Sequence, residues 1–417
     1  MLYLDDIKVE LESQGFQGTH IGISHNKDKS VLFLESVRST QTVRCPYCGG
    51  SVYIYENGQV KLKDIPIQRG TTHIWNFFIH RYQCNCCHET FTEEIPFKYP
   101  GTRIAYRAAN WIKGFLQQKM SIKAIQELTG IHWDTIRKVQ REIMDEAIWE
   151  REKMLREEGY KPRILAADEF KGNTNSEKYQ CILTDPVNKV VLDILPKRYA
   201  HFLTEYFNHF DKSQRDKVQF FVSDMWKPYS NISSVWFKNA SQIVDKYHWI
   251  RQVIWAFEAV RKQEQKKFSK SHRRYFKQSR QLLLKRFDLL SDEQKQQVNV
   301  MLYTSPTLST AHFYKEDFLK ILDCKDRQSA KTAFSDWINS ALDCGIPQFK
   351  KCANTMINWL PGILNSFSSA ITNGFTEGCN NKIKGLKRNA YGYRNFKRFR
   401  NRILHMFSHQ MQKQAIA

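Results

Sequence analysis

The sequence predicts an α+β protein built from several units. Three observations carry that prediction. Closely spaced cysteine pairs sit in β-rich sequence near the start, apolar strands ending in acids alternate with helices in the middle, and a long helical stretch precedes a third acid. At 417 residues the chain is too long for one small core, so roughly two to four units are expected.

The N-terminal unit is drawn over residues 1–100. Ser-Val-Leu-Phe-Leu-Glu-Ser-Val, at residues 30–37, reads as a strand, and Val60–Pro66 and His73–Tyr82 are further β-rich segments. The ten cysteines fall into Cys45/Cys48, Cys84/Cys86/Cys87 and five scattered singles, which is metal-site spacing rather than a disulfide framework. Cys45-Pro-Tyr-Cys48-Gly-Gly forms a knuckle in which two thiolates face one metal and the glycines permit the tight turn. Cys84 and Cys87 repeat that spacing and complete a closed, structural four-sulfur zinc site, with Cys86 as the competing ligand.

A helical unit is drawn over residues 101–155, after the Pro100-Gly101 break. Ser121 caps a first helix with Ile122, Ile125 and Leu128 on its apolar face. Gly130 makes the turn, and a second helix turns Ile136 and Val139 inward. This is a helix-turn-helix pattern, with His132, Trp133, Arg137, Lys138 and Arg141 expected to face outward towards a DNA groove.

Charge supports a polyanionic partner. Lys and Arg number 64 against 42 acids, a net +22, and each phosphate neutralised by a cation releases a counterion. No apolar run is long enough to span a membrane, and the acidic, amphipathic start Met1–Ser13 is not a signal peptide, so a cytoplasmic, nucleoid-associated protein is expected.

The core is drawn as 156–265 with a last part at 366–417, and the helical insertion as 266–365. Arg163–Asp168 is an apolar strand ending in an acid. Tyr179–Thr184 and Val190–Leu195 are two more strands joined by a turn at Asp185, His201–Phe210 is a helix, and Val218–Asp224 is another apolar strand ending in an acid. That β-β-β-α-β order, with acids closing the first and fourth strands, is the order of a ribonuclease H-like fold. Two carboxylates so placed repel each other unless a divalent cation bridges them. Glu169 is expected on the solvent side. After the Gly/Asn-rich turn at residues 371–374, a helix starting near Thr376 puts Glu377, Asn381, Lys384 and Arg388 on one face. An acid followed by an amide and two cations suits a metal–phosphodiester site.

These segments resemble the DDE transposases of bacterial insertion sequences, specifically the ISL-three group. The resemblance rests on CPYCGG, CNCC, the helix-turn-helix, AADEF, SDMW and FTEGCNNKIKGLKRNAYGYRNFKRFRNRI. It implies that Asp168, Asp224 and Glu377 are the catalytic acids and that the N-terminal units bind the element's terminal inverted repeats. It also implies that a freed 3′-OH attacks target DNA in the same site. The expected cofactors are two Mg²⁺ (or Mn²⁺) ions about 3.5–4 Å apart, besides one structural Zn²⁺. The expected partner is double-stranded DNA, bound by a homodimer.

Positions 224 and 377 are 153 apart, far more than a compact core of this type needs, so the helical insertion must lie between them. Its basic start, Lys266–Lys277, interleaves aromatics that suit phosphates and unpaired bases. No acid follows Glu377, while nine cations lie between Lys382 and Arg402, Lys387, Arg394 and Arg398 among the expected DNA contacts. His248 is a candidate phosphate contact. With Arg251 and Tyr275 it also fits a tyrosine recombinase, which would leave three acids unexplained. A zinc-ribbon regulator explains only residues 1–150, and a stand-alone nuclease of the same fold would cut without joining.

Overall fold

The computed structural model describes residues 16–26, 29–38, 43–66, 71–95, 97–157, 160–368, 371 and 373–408, the first two segments as backbone alone. The amphipathic start at residues 1–13 and Thr372 of the expected turn lie outside the described residues. The chain divides into two units, residues 1–149 with 385–392, and residues 150–384 with 393–417.

In the first unit, β1 (Phe16–Asn26) and β2 (Lys29–Arg38) are antiparallel, as are β3 (Val52–Asp64) and β4 (Thr71–Cys84). β2 runs parallel to β4 and the short β5 (Thr90–Thr92) closes onto β4, so the order is β1-β2-β4-β3. Alternation along β4 buries His73, Trp75 and Phe77 on one face, where Trp75 and Phe77 pack with Leu62 and Ile95.

Three helices follow: α1 (Tyr106–Gln117), α2 (Ile122–Thr129) and α3 (Trp133–Glu152). Ser121 caps α2 by accepting from the Ala124 N–H at 3.1 Å, and Gly130 ends it at φ +67°, where a side chain would be strained. Ile112, Leu116, Ile125, Ile136 and Val139 form the core between the helices. Two expectations need correction. Leu128 is exposed, because the buried arc of this short helix runs from Ile125 to Thr129, whose hydroxyl bonds back to the Ile125 carbonyl. Lys138 does not face outward freely, since its ammonium donates to the carbonyls of Pro100 and Gly101 at 3.2 and 2.9 Å. His132, Trp133 and Arg141 are exposed, and the Arg137 guanidinium lies 5.0 Å over the Trp133 ring.

In the second unit, β6 (Ile164–Lys171), β7 (Tyr179–Asp185) and β8 (Val190–Leu195) form an antiparallel meander. Asp185 makes the turn by accepting from the Val187 and Asn188 N–H groups. α4 (Ala200–Asn208), α5 (Lys212–Arg215), β9 (Phe220–Ser223), α6 (Lys227–Trp236) and β10 (Ser241–Val244) complete the layer. β9 is parallel to β6 and β10 to β9, giving the order β10-β9-β6-β7-β8. Leu165, Ala167, Leu183 and Phe221 bury one face with Leu203 and Ile232, while Ile164, Ala166, Val222 and Ile243 bury the other.

The helical body is α7 (Lys246–Gln265), α8 (Lys270–Gln278), α9 (Arg280–Leu284), α10 (Asp292–Tyr303), α11 (Pro306–Lys320), α12 (Arg327–Asp343) and α13 (Pro347–Asn365). It begins earlier than residue 266, because Trp249, Val253 and Phe257 of α7 share one core with Phe318, Phe334, Trp337 and Phe349. A Cβ at Gly362 would sit 2.8 Å from a Val244 methyl, so α13 touches β10 through a bare backbone. The interleaved aromatics of 266–277 are largely spent inside: Phe276 is buried and Phe268 packs on the core, leaving Tyr275 exposed.

α14 (Gly374–Asn389) and α15 (Phe396–Met406) follow. Arg400 forms a two-pronged ion pair with Asp193 of β8 at 2.8 and 3.0 Å, and Arg402 is buried. Two of the nine cations between Lys382 and Arg402 therefore serve the fold. Among the described residues no helix is long and apolar enough to cross a membrane.

Candidate functional site

The strand register assembles the acids. Ala166 of β6 pairs with Val222 of β9, and side chains alternate faces, so two residues further Asp168 stands beside Asp224 on the same face as both. Val244 of β10 pairs with Ser223, so the next step sets Asp245 beside Asp224 as well. Each acid thus continues an apolar row: Ile164-Ala166-Asp168, Val222-Asp224 and Ile243-Asp245. Sequence reasoning passed over Asp245, although Gln242-Ile-Val-Asp245 repeats the signal of an apolar strand closed by an acid.

Asp168 accepts from the Glu169 N–H at 2.8 Å and from the Asn380 amide of α14 at 2.9 Å, and Asp224 from the Trp226 N–H at 3.0 Å. Burial pushes the Asp168 carboxyl up to about 7; the Glu169 N–H opposes the rise, and the charges of Asp224 and Asp245 add to it. Burial also raises Asp224, with Glu169 adding and His248 and Arg198 opposing. Glu169 is not the solvent-side neighbour expected of it: it pairs with Arg198, whose guanidinium lies 4.8 Å over the Trp226 ring. Asp245 caps α7, and His248 stands 3.9 Å from its carboxylate.

α14 lies on this face. Its Thr376 hydroxyl meets that of Thr184 on β7 at 2.7 Å, one turn before Asn380 reaches Asp168. Glu377 is one position from Thr376, about 100° round the helix, and is exposed. Its carboxylate and those of Asp168 and Asp224 do not all lie within 4.8 Å of one another. The expected face of Glu377, Asn381, Lys384 and Arg388 points away from the sheet-facing row, which is Thr376, Cys379, Asn380 and Ile383. Asn380 is the amide sequence reasoning missed by one position, because nothing local sets a helix's phase against its neighbours. Among the described residues its buried Oδ1 has no hydrogen-bond partner. Crowded, buried carboxylates and an unspent amide oxygen are the donor set of a hard divalent cation.

The cysteine cluster is assembled by the β3–β4 hairpin, in which Val52 lies opposite Cys84 and brings the two knuckles together. The Sγ atoms of Cys45, Cys48, Cys84 and Cys87 all lie within 4.8 Å of one another, with Cys48–Cys84 at 3.4 Å and Cys45–Cys87 at 3.6 Å. A tetrahedral zinc with bonds of about 2.3 Å sets its sulfurs about 3.8 Å apart, so the cluster fits structural zinc. Backbone N–H groups of Cys87 and Cys86 hold the Cys84 thiol down, to about 6, whereas the Cys48 and Cys87 thiols beside it are held up, so without a metal the cluster's thiolate sits on Cys84. A Cβ at Gly50 would stand 2.8 Å from Cys86 Sγ and 3.3 Å from the sulfurs of Cys48 and Cys84, so a side chain there would crowd the cluster.

A family model described as "Transposase", that of the DDE enzymes of the ISL-three group, matches residues 165–403, from β6 into α15. The transposase for insertion sequence element IS1001 of Bordetella parapertussis is 24% identical over 365 residues, 85% of this chain and 86% of that protein. A protein named ATP-dependent protease from Lactococcus lactis subsp. lactis is 35% identical over 107 residues, which are 26% of this chain and 33% of that protein. The match to the family model spans more than half of the sequence and includes Asp168, Asp224 and Asp245, the helical body and α14. The chain belongs to the DDE transposases of the ISL-three group, insertion-sequence enzymes that cut and transfer DNA strands and as a class use divalent metal ions.

Proposed function

We propose that this transposase cleaves the ends of its element at a ribonuclease H-like site formed by Asp168, Asp224 and Glu377, and joins the released 3′ ends to target DNA. The observation that carries the reading is the row of acids on one sheet face, with Asp168 buried and pushed up to about 7 beside Asp224. The strand order β10-β9-β6-β7-β8 agrees with the β-β-β-α-β order read as ribonuclease H-like.

Asp168 and Asp224 would hold divalent cations with the Asn380 Oδ1 beside them, and Glu377, exposed in the first turn of the same helix, would turn inward to supply the third carboxylate. When bound, such ions activate water for attack at phosphorus and stabilise the leaving 3′ oxygen. The chain's own part is to orient and desolvate. Asn380 fixes one oxygen of Asp168, the Trp226 N–H fixes one of Asp224, and the apolar rows behind them exclude water.

The helices of 101–155 bind the terminal inverted repeats through His132, Trp133, Arg137 and Arg141, zinc on Cys45, Cys48, Cys84 and Cys87 stabilises the ribbon beside β5, and a homodimer holds the two ends. Incubating the protein with the DNA ends of its element and Mg²⁺, then sequencing the termini, tests the reading. Cleavage at both ends with joining to target supports it. Cutting without joining would make the chain a stand-alone nuclease, and joining without added divalent ion would overturn the metal site.

Lys384 and Arg388 are exposed on α14, and phosphate contacts position DNA without reading sequence. Alanine at either should weaken all DNA alike and flatten the salt dependence by about one contact each. Arg137→Ala should instead lower discrimination between element ends and random DNA, by about 1–3 kcal/mol if it pairs with a base edge. Binding isotherms over a salt series separate the two roles, and an unchanged slope in the α14 variants would leave that helix face merely solvated.

A further inference from the structure

Helix α7 carries an exposed stripe that neither the carboxylate site nor the helical core uses. Tyr247, Arg251 and Trp255 recur at every fourth position, so they stand above one another on one face. Tyr247 is 56% and Trp255 50% exposed, although Trp249, Val253 and Phe257 of the same helix are fully buried. The Arg251 guanidinium lies between the two rings, 5.5 Å over Tyr247 and 4.4 Å over Trp255, and among the described residues no carboxylate pairs with it. Two large exposed rings with a guanidinium between them form an aromatic, cationic surface. The same face continues into an exposed cation, Lys262, seven positions beyond Trp255.

The stripe begins at the acids. Asp245, which caps α7, adds to the rise of the Asp168 carboxyl, and Tyr247 follows it by two residues. Along the helix axis Trp255 stands about 15 Å from the cap. A strand entering the carboxylate site has its backbone near Asp245 and its bases free to reach the rings, provided they are unpaired. Duplex DNA hides its base faces in the stack, so it gains from Arg251 but not from the rings.

We infer that Tyr247, Arg251 and Trp255 form a stacking platform for unpaired bases of a single DNA strand next to the cleavage site. Its place in the reaction rests on the proposed carboxylate site, but the platform is measurable without cleavage. The partner class is single-stranded nucleic acid, since base–aromatic stacking tolerates any sequence and the guanidinium both stacks and neutralises phosphate.

The test is fluorescence anisotropy of a short labelled oligo(dT), and of a duplex of equal length, with the full chain and no added divalent ion. Tyr247→Ala/Trp255→Ala should bind oligo(dT) about ten-fold or more weakly while duplex affinity stays within about two-fold. Tyr247→Phe/Trp255→Phe keeps both rings and should restore binding, and Arg251→Ala should weaken both substrates. Both rings are exposed, so the variants should melt like the parent, and a lowered melting point in the alanine pair shifts the decision to the phenylalanine pair against Arg251→Ala. Equal oligo(dT) affinity in parent and alanine variant overturns the platform. So does unchanged DNA binding with lost self-association in sedimentation, which makes the stripe an interface between copies of the chain. Should Asp168→Asn still cleave DNA, the carboxylate reading falls while the oligo(dT) result stands on its own.

Discussion

Asp168→Asn, Asp224→Asn and Glu377→Gln are each expected to lose strand cleavage by about a thousand-fold or more while end binding is largely kept. The amide preserves volume but removes the charge that holds a hard cation. Wild-type-like cleavage by any one variant removes that residue from the site, and Glu377 is the most exposed to this test, since it stands outside the sheet-facing row of α14. Asp168→Asn carries a second, opposite signature. The folded protein holds the Asp168 proton up to about 7 against a usual 3.8. Its contribution to stability is therefore full below the unfolded value and lost as pH rises through about 7. Without added divalent ion the variant should be more stable than the parent at pH 8, on the order of 2 kcal/mol, and the gain should shrink towards pH 4. Denaturant melts at both ends of that range decide the matter. A variant less stable at pH 8 would mean that Asp168 is held by partners rather than strained by its neighbours.

Cys45→Ser or Cys48→Ser should release the zinc and unfold the ribbon, because structural zinc contributes about 10–16 kcal/mol of binding free energy to such folds. Metal analysis of purified protein should fall from one equivalent towards none, and specific end binding should fall more than nonspecific binding. Cys84→Ser and Cys87→Ser should behave alike, whereas Cys86→Ser should keep its metal, since four sulfurs converge without it. Gly50→Ala should mimic a ligand loss in part by driving a methyl group into the sulfur cluster. If Cys86→Ser lost zinc and Cys84→Ser did not, the ligand set would be Cys45, Cys48, Cys86 and Cys87.

Much of this architecture was legible in the sequence because its signals are local. The cysteine spacing, the Ser121 cap, the Gly130 turn and the apolar strands that lead to Asp168 and Asp224 each depend on a few adjacent residues, and the structure reproduces these features except that the first strand does not end at Asp168 but runs on to Lys171, because β7 keeps pairing with it. The family follows from the longer pattern those features make. What the sequence left open depends on partners distant along the chain. Asp245 joins the acids only because β10 pairs beside β9. Asn380 rather than Asn381 meets Asp168 because packing against β7, through Thr376 and Thr184, sets the rotation of α14. Arg400 and Lys138 look like DNA contacts by charge, yet Asp193 and the carbonyls of Pro100 and Gly101 take them up. A side chain's type and helical phase are written in neighbouring residues, but its partner is chosen by whatever the fold brings within hydrogen-bonding distance. Only the tertiary structure decided that.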